Sequence, residues 1–483
     1  MVPDRGRTLL GPALALVHTG QAPTRSALTS ALDVTRATAG AISAELEALG
    51  LITVDSSPAG GGRGRPSHRL AIDPEGPVVI AAQLHADGLS VALAGLGGRI
   101  GTPVHHPLPA ATDPVRLLRA VAAAGAELAR ASARRCLGAG LALPNPVTEP
   151  DGAALAALHF AWPSGTPVAD LFAEEIRKAD LGPRARSPFP NAVANDANLA
   201  ALAEHRHGAG RGARHLLLVT SGHRGVGGAL VIDGRLHTGS AGLALEVGHL
   251  TVDPQGRPCP CGNRGCLNVE TDPEALLAAA GRAVEPGRPV LEQAREVVAA
   301  AYGPLRAPAV DDCALASGGG GSVSGRAVDA RSGGPSGYDS ASGSSEEGRS
   351  VGLGTSGSST AAAAVGRPSV AAIDDCAADP AASGSAPDPA ARAAVDRAVD
   401  HLGLGLAGLV NILNPDRIVL SGLHRDLLLA APERLAAVVA ERCLWGRSGR
   451  VPIVPAEVVH AGLVGAAELA WEPFLCDPQS VRG

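Results

Sequence analysis

Residues 246–266 read EVGHLTVDPQGRPCPCGNRGC. Three cysteines, Cys259, Cys261 and Cys266, fall within eight residues of a loop rich in Gly and Pro, and His249 stands ten residues upstream. Three thiolates and an imidazole suit the tetrahedral, four-coordinate preference of structural zinc. Four protein ligands leave no open position for an activated water, so the pattern predicts a structural metal. The bland alternative is three free thiols brought together by chance. The other five cysteines, Cys136, Cys313, Cys376, Cys443 and Cys476, are isolated and read as spectators.

Working outward, two further stretches carry polar chemistry. Asn195-Asp196-Ala-Asn198 places an acid and two amides where a strand gives way to a helix. Such a junction can hydrogen-bond a hydroxylated ligand, and it can equally cap the helix. Ser221-Gly-His-Arg-Gly225-Val-Gly227-Gly228 is a Gly-rich turn between two apolar runs, Leu216–Thr220 and Gly228–Ile232. Its backbone could approach a phosphate, although a plain turn explains it as well. Strand and helix patterns alternate around these motifs, from Val78–Ala82 through Pro114–Ala133, Cys136–Leu143 and Ala197–His207, which argues for an α/β fold.

In this order the elements resemble the ROK family of repressors and sugar kinases. The resemblance is carried by Glu246-x-Gly-His249, Cys259-x-Cys261-Gly-x-x-Gly265-Cys266, Asn195-Asp196-Ala-Asn198, Gly234-Arg-Leu, Gly403-Leu-Gly405 and Asn414-Pro-Asp-Arg-Ile-Val-Leu. It implies a two-lobed actin-like ATPase fold with a sugar in the cleft. It also implies that Asn195, Asp196, Glu246 and His249 contact the sugar, that His249, Cys259, Cys261 and Cys266 hold zinc, and that Asp196 stands where the kinases keep a general base. Family kinases carry Asp-x-Gly-Gly-Thr in the first hairpin, and here the aligned residues are Gln83-Leu84-His85-Ala86-Asp87. Gly222-His223-Arg224-Gly225 replaces a second phosphate turn, and Ser421-Gly422 replaces a Gly-Gly pair. Phosphoryl transfer depends on such positioning parts, so the resemblance points to the non-enzymatic branch. Asn268 stands where the family often has Glu, with Glu270 nearby, and Pro144-Asn145-Pro146 stands where a Pro-Gly turn is expected.

The N-terminal stretch fits that branch. Apolar spacing predicts helices over Thr8–Val17, Arg25–Leu32 and, from an N-cap at Thr35, to Leu49, followed by strands Leu51–Val54 and His68–Ile72. Helix, helix, turn, helix and hairpin is the winged helix-turn-helix order. Thr35, Arg36 and Thr38 open the third helix and are candidate DNA contacts in the major groove. Arg63 and Arg65 in the Gly-rich hairpin loop are candidates for the minor groove. A helical protein-interaction module is the competing reading of this unit.

Composition sets the frame. The chain has 483 residues, a net charge of −6, 62 Gly, 38 Pro and only 2% aromatics, so its core must be aliphatic. No apolar run is long enough for a membrane span, and no secretory signal is read at the N-terminus. Thirteen Gly and thirteen Ser crowd residues 317–360, where no apolar periodicity exists. The expected layout is a winged head over 1–72, a first lobe over 73–196, a second lobe over 197–305 with the metal loop, a disordered Gly/Ser/Ala-rich insertion over 306–388, and a remainder over 389–483 whose last helix returns to the first lobe. The expected protein is a cytoplasmic, sugar-responsive DNA-binding regulator, a repressor of carbohydrate genes, acting on a double-stranded operator as a homodimer or homotetramer. Its effector would be a sugar or sugar phosphate. The rivals are a ROK-type sugar kinase and a regulator that has lost its effector.

Overall fold

The computed structural model describes residues 9–55, 67–85, 87–109, 112–155, 160, 162–186, 189–222, 225–305, 388–444 and 451–482. The chain divides into two units, residues 1–308 with 386–483, and residues 309–385. All the described residues belong to the first unit. The expected insertion, 306–388, lies outside the described residues except for Asp388.

The N-terminal part holds α1 (Leu10–His18), α2 (Arg25–Leu32), α3 (Arg36–Ala48) and a hairpin of β1 (Ile52–Asp55) and β2 (Arg69–Ile72). Local chemistry sets these boundaries. Thr24 caps α2 by accepting the Ala27 N–H, and Thr35 caps α3 by accepting the Thr38 N–H. Gly50, with φ 69°, follows α3 in the left-handed conformation that ends helices. Ala39, Ile42 and Leu46 are fully buried on one face of α3, and Leu49 continues that stripe. They share a core with Leu10 and Leu14 of α1 and with Trp471 and Phe474 near the C-terminus.

Two five-stranded sheets come next, with one plan used twice. The first has the order β5-β4-β3-β6-β7, from β3 (Val78–His85), β4 (Gly88–Ala94), β5 (Val104–Pro107), β6 (Cys136–Leu143) and β7 (Asn191–Asn195). The second has the order β10-β9-β8-β11-β12, from β8 (His215–Ser221), β9 (Val226–Ile232), β10 (Arg235–Leu236), β11 (Arg417–Gly422) and β12 (Ile453–Pro455). In each sheet the leading strand pairs antiparallel with the next strand and parallel with the one that returns by a crossover. β3 and β6 are buried almost throughout, as strands covered on both faces must be.

Helices cover the sheets. On the first, α4 (Pro114–Ala131) and α5 (Val168–Lys178) bury Leu117, Val121, Phe172 and Ile176. On the second, α7 (Leu267–Thr271), α8 (Pro273–Ala279), α9 (Val290–Tyr302), α10 (Pro389–Leu413), α11 (Leu423–Ala430) and α12 (Pro432–Arg442) build an aliphatic core from residues such as Val297, Val399, Leu406 and Leu427. Sequence spacing suggests one helix from Leu427 to Arg442; the structure instead breaks it at Ala431, because Pro432 cannot donate into the preceding turn and starts α12 at its first position.

Two helices position the cleft. α6 (Asp196–His207) leaves the end of β7, and α13 (Ala461–Cys476) crosses it. Their backbones touch: a Cβ at Gly465 would overlap the Leu199 carbonyl oxygen, and one at Gly140 would overlap that of Ala466. α13 is thereby fixed hard against both α6 and β6. No helix among the described residues is long and apolar enough to cross a membrane.

Candidate functional site

A cleft of about 370 Å³ opens where the N-termini of α6 and α13 meet the ends of β3 and β9. Asn195, Asp196, Glu246 and His249, from separate parts of the sequence, all line it. The structure therefore brings the whole predicted ligand set together.

Their roles differ. Asn195 is the N-cap of α6: its Oδ1 accepts the N–H groups of Ala197 (3.0 Å) and Asn198 (3.3 Å). Its Nδ2 donates to the Asn145 carbonyl at 3.1 Å. The capping reading of the sequence thus holds for this side chain, which shapes the cleft floor. Asp196 occupies the first turn of α6 and lines the cleft. Burial, with a smaller push from the nearby Glu246 carboxylate, raises its carboxyl from 3.8 to about 7. Glu246 enters from the loop before a short 3-10 turn, Val247–His249; burial raises its carboxyl while His249 opposes the shift. Two carboxyls held above their ordinary range by burial are good partners for neutral hydroxyls, which donate to the charged form and accept from the protonated one.

His249 faces two ways. It lines the cleft, and its Nδ1 lies 3.9 Å from Cys259 Sγ. Cys261 Sγ is 3.7 Å from Cys266 Sγ, and the four donor atoms lie within 4.8 Å of one another. A tetrahedron with metal–sulfur bonds of about 2.3 Å has edges of about 3.8 Å, so the sulfur spacing fits a four-coordinate metal. The loop is ready to wrap one: Cys259 N–H donates to Asn263 O at 2.8 Å, and Gly265 takes φ 59° against the Asp253 carbonyl, where a Cβ would collide. A Cys3His cluster able to bind a metal is therefore present.

Around the rim, Asn268 is buried and its Oδ1 accepts the Val226 N–H at 2.6 Å, holding the start of β9. Glu270 does not replace it in the cleft. Its Oε1 accepts the Arg257 N–H at 2.8 Å and its side chain faces a second cavity of about 490 Å³, with Arg264, Arg397 and His401. Gln83 and His85 occupy the cleft edge at the end of β3, with Gln83 packed against Gly462 at the start of α13. Among the described residues, Asp196 and Glu246 are the only carboxylates on the cleft wall, and no Lys or Arg lines it. His460, held at φ 55° just before α13, is a cleft residue that sequence reasoning missed. A lone His ahead of an apolar helix gives no local signal of its place. His223 and Arg224 lie outside the described residues.

In the N-terminal part, the start of α3 is exposed at Thr35 and Arg36 and half-buried at Thr38. The Thr35 and Thr38 hydroxyls are 2.9 Å apart, so both serve the cap, and Arg36 is the side chain left to reach outward. Arg63 and Arg65 lie outside the described residues.

Comparison with known proteins agrees with this architecture. The sequence pattern of the ROK family matches residues 80–303. The glucokinase of Halalkalibacterium halodurans is 40% identical over 134 residues, which are 28% of this chain and 37% of that protein. The xylose repressor of Caldicellulosiruptor bescii is 25% identical over 266 residues, 54% of this chain and 63% of that protein. The chain thus matches less than two thirds of the length of either relative. The crystal structure of a ROK family transcriptional regulator, a homologue of the E. coli MLC protein, superimposes with a TM-score of 0.63 over all of both chains at 21% identity, a likeness that speaks for the fold. The paired sheets are those of the actin-like two-lobed fold, and the chain carries a ROK family domain.

Proposed function

We propose that this protein is a DNA-binding transcriptional regulator, a repressor of carbohydrate genes, whose hold on its operator is set by a sugar bound between the lobes. The observation that carries the reading is the union of an exposed helix start at Arg36 with a cleft lined by Asp196, Glu246 and His249 in one packed unit. Arg36 would contact a phosphate or a guanine edge, and Arg63 and Arg65 would follow the minor groove. The head over 1–72 would read each half of a two-fold operator within a homodimer or homotetramer. A xylose repressor among the relatives supports the sugar-responsive part.

Zinc is the metal that suits His249, Cys259, Cys261 and Cys266. It would crosslink the loop and fix the His249 ring, which also lines the cleft, and four protein ligands leave it no role in activating water. Sugar binding and folding of the metal loop are then linked through one imidazole.

One observation favours a sugar kinase instead: the Asp196 carboxyl at the cleft floor, raised to about 7, in the manner of a general base. Against it, the described cleft wall offers no Lys or Arg side chain for phosphates, and Gln83 and His85 fill the edge where glycines would admit them. DNA bound from a random pool, then titrated with D-glucose and D-xylose, separates the readings. Sugar-dependent operator affinity supports the regulator, and ATP-dependent phosphorylation of either sugar, lost in Asp196→Asn, supports the kinase.

A further inference from the structure

The N-terminal helices are tied to the helices that line the cleft by a buried polar joint. Glu468, on α13, is 1% exposed. Its Oε2 accepts from His18 Nε2 at 2.8 Å and from Arg206 Nη1 at 2.8 Å, and its Oε1 accepts from His207 Nε2 at 2.9 Å. His18 ends α1, and its Nδ1 accepts the Gly97 N–H at 2.8 Å. That bond and the one to Glu468 hold the His18 ring in one orientation, with Nε2 aimed at the carboxylate. The His18 and His207 rings meet edge to face with centroids 4.9 Å apart. His18, His207 and Glu468 are spaced as metal ligands could be, but the Arg206 guanidinium sits on the same carboxylate oxygen as His18 and supplies the positive charge.

The other two helices at this joint, α6 and α13, begin in the cleft. Asp196, Ala197 and Asn198 line the cleft, while Arg206 and His207 close the same helix, α6, about 17 Å away at 1.5 Å per residue. Ala461 and Gly462 line the cleft, and Glu468 lies two turns along α13. Gly465 keeps the two backbones in contact, so neither helix slides alone. A second tie lies alongside: Arg211, just beyond α6, donates to the Thr19 carbonyl beside His18. A displacement of the start of α6 by a bound sugar must therefore be passed to α1 or break a buried charged network, and the latter is costly because it strands an unpaired carboxylate.

We propose that Glu468 is the positioning residue that couples the sugar cleft to the DNA-reading head, through Arg206 and His207 on one side and His18 on the other. The inference rests on the regulator reading above. The test is amide hydrogen exchange of the full chain with and without saturating D-glucose or D-xylose, alongside calorimetry to establish that the sugar binds. In the wild type, sugar changes exchange of residues 10–18 by about fivefold or more, the lower range of allosteric coupling. In Glu468→Gln the sugar still binds and still protects residues 197–200, but the response of residues 10–18 is lost. His18→Leu, which spares the pair of Arg206 with Glu468, gives the same loss while the response near residue 207 persists. A merely structural role would speed exchange in α1 equally with and without sugar, leaving the response intact, and that result overturns the proposal. So does a wild-type protein that binds sugar with no change in α1. Absence of sugar binding in calorimetry strikes the regulator reading itself, and this inference with it.

Discussion

Replacing Asp196 by asparagine tests the electrostatics of the cleft without disturbing its shape. The carboxyl sits at about 7 in the fold against 3.8 when solvated, because burial disfavours its charged form and Glu246 lies near. The folded state therefore binds this proton more tightly than the unfolded state. Below the solvated value both states are protonated and the group contributes nothing. Between there and about 7 the unfolded carboxyl is ionised while the folded one is neutral, so stability falls as pH rises; above about 7 the cost is constant. At about 1.4 kcal/mol per unit, a difference of about three units sets a ceiling of roughly 4 kcal/mol, and the stretch from pH 5 to pH 7 accounts for about 2–3 kcal/mol of it. Asparagine carries no such cost. Urea unfolding of both proteins near pH 5 and near pH 8 should show the advantage of Asp196→Asn widening by about 2–3 kcal/mol at the higher pH. An equal difference at both would mean that Asp196 is already ionised in the fold at the lower pH, and would refute the desolvated cleft.

Other perturbations probe the remaining parts. Metal analysis of the purified chain should return about one zinc, and Cys261→Ser should lower both metal content and melting temperature, since structural zinc binding is folding free energy. A metal-free protein of unchanged stability would remove the zinc reading. Gly465→Ala forces a Cβ into the Leu199 carbonyl, and should cost about 1–3 kcal/mol in denaturant unfolding as overpacked sites do; a neutral change would show that α6 and α13 can part. Arg36→Ala should weaken DNA binding at every salt concentration and reduce the slope of log K against log salt by about one, with intact folding by circular dichroism.

Much of the fold is legible from local chemistry. Thr24, Thr35 and Gly50 punctuate the first helices, and the caps and φ values are the ones their residue types favour. The Cys3His spacing survives into three dimensions because its ligands lie in one loop. Asn195 shows the limit of a motif: sequence leaves capping and ligand binding open, and its side chain caps α6 while its neighbour Asp196 lines the cleft beside it. α5 carries a clear signal that the sequence reading passes over: Val168, Leu171, Phe172 and Ile176 recur at helical spacing. The joint at Glu468, by contrast, is invisible in the sequence. His18 lies 450 residues from Glu468 and Arg206 lies 262 from it, and no local pattern marks a Glu in the middle of an apolar helix as the partner of a His near the N-terminus. His460 and Glu270 likewise take their places from tertiary packing alone.

The central claim is that DNA and sugar act on one another through this chain. Its most direct test is operator affinity by fluorescence anisotropy, using DNA selected by the full chain from a random pool, measured with and without saturating D-glucose or D-xylose. The account predicts sequence-selective, salt-sensitive binding whose affinity changes about fivefold or more with sugar. Sequence-selective DNA binding that no sugar alters, or no selective DNA binding together with ATP-dependent phosphorylation of a sugar, would contradict it.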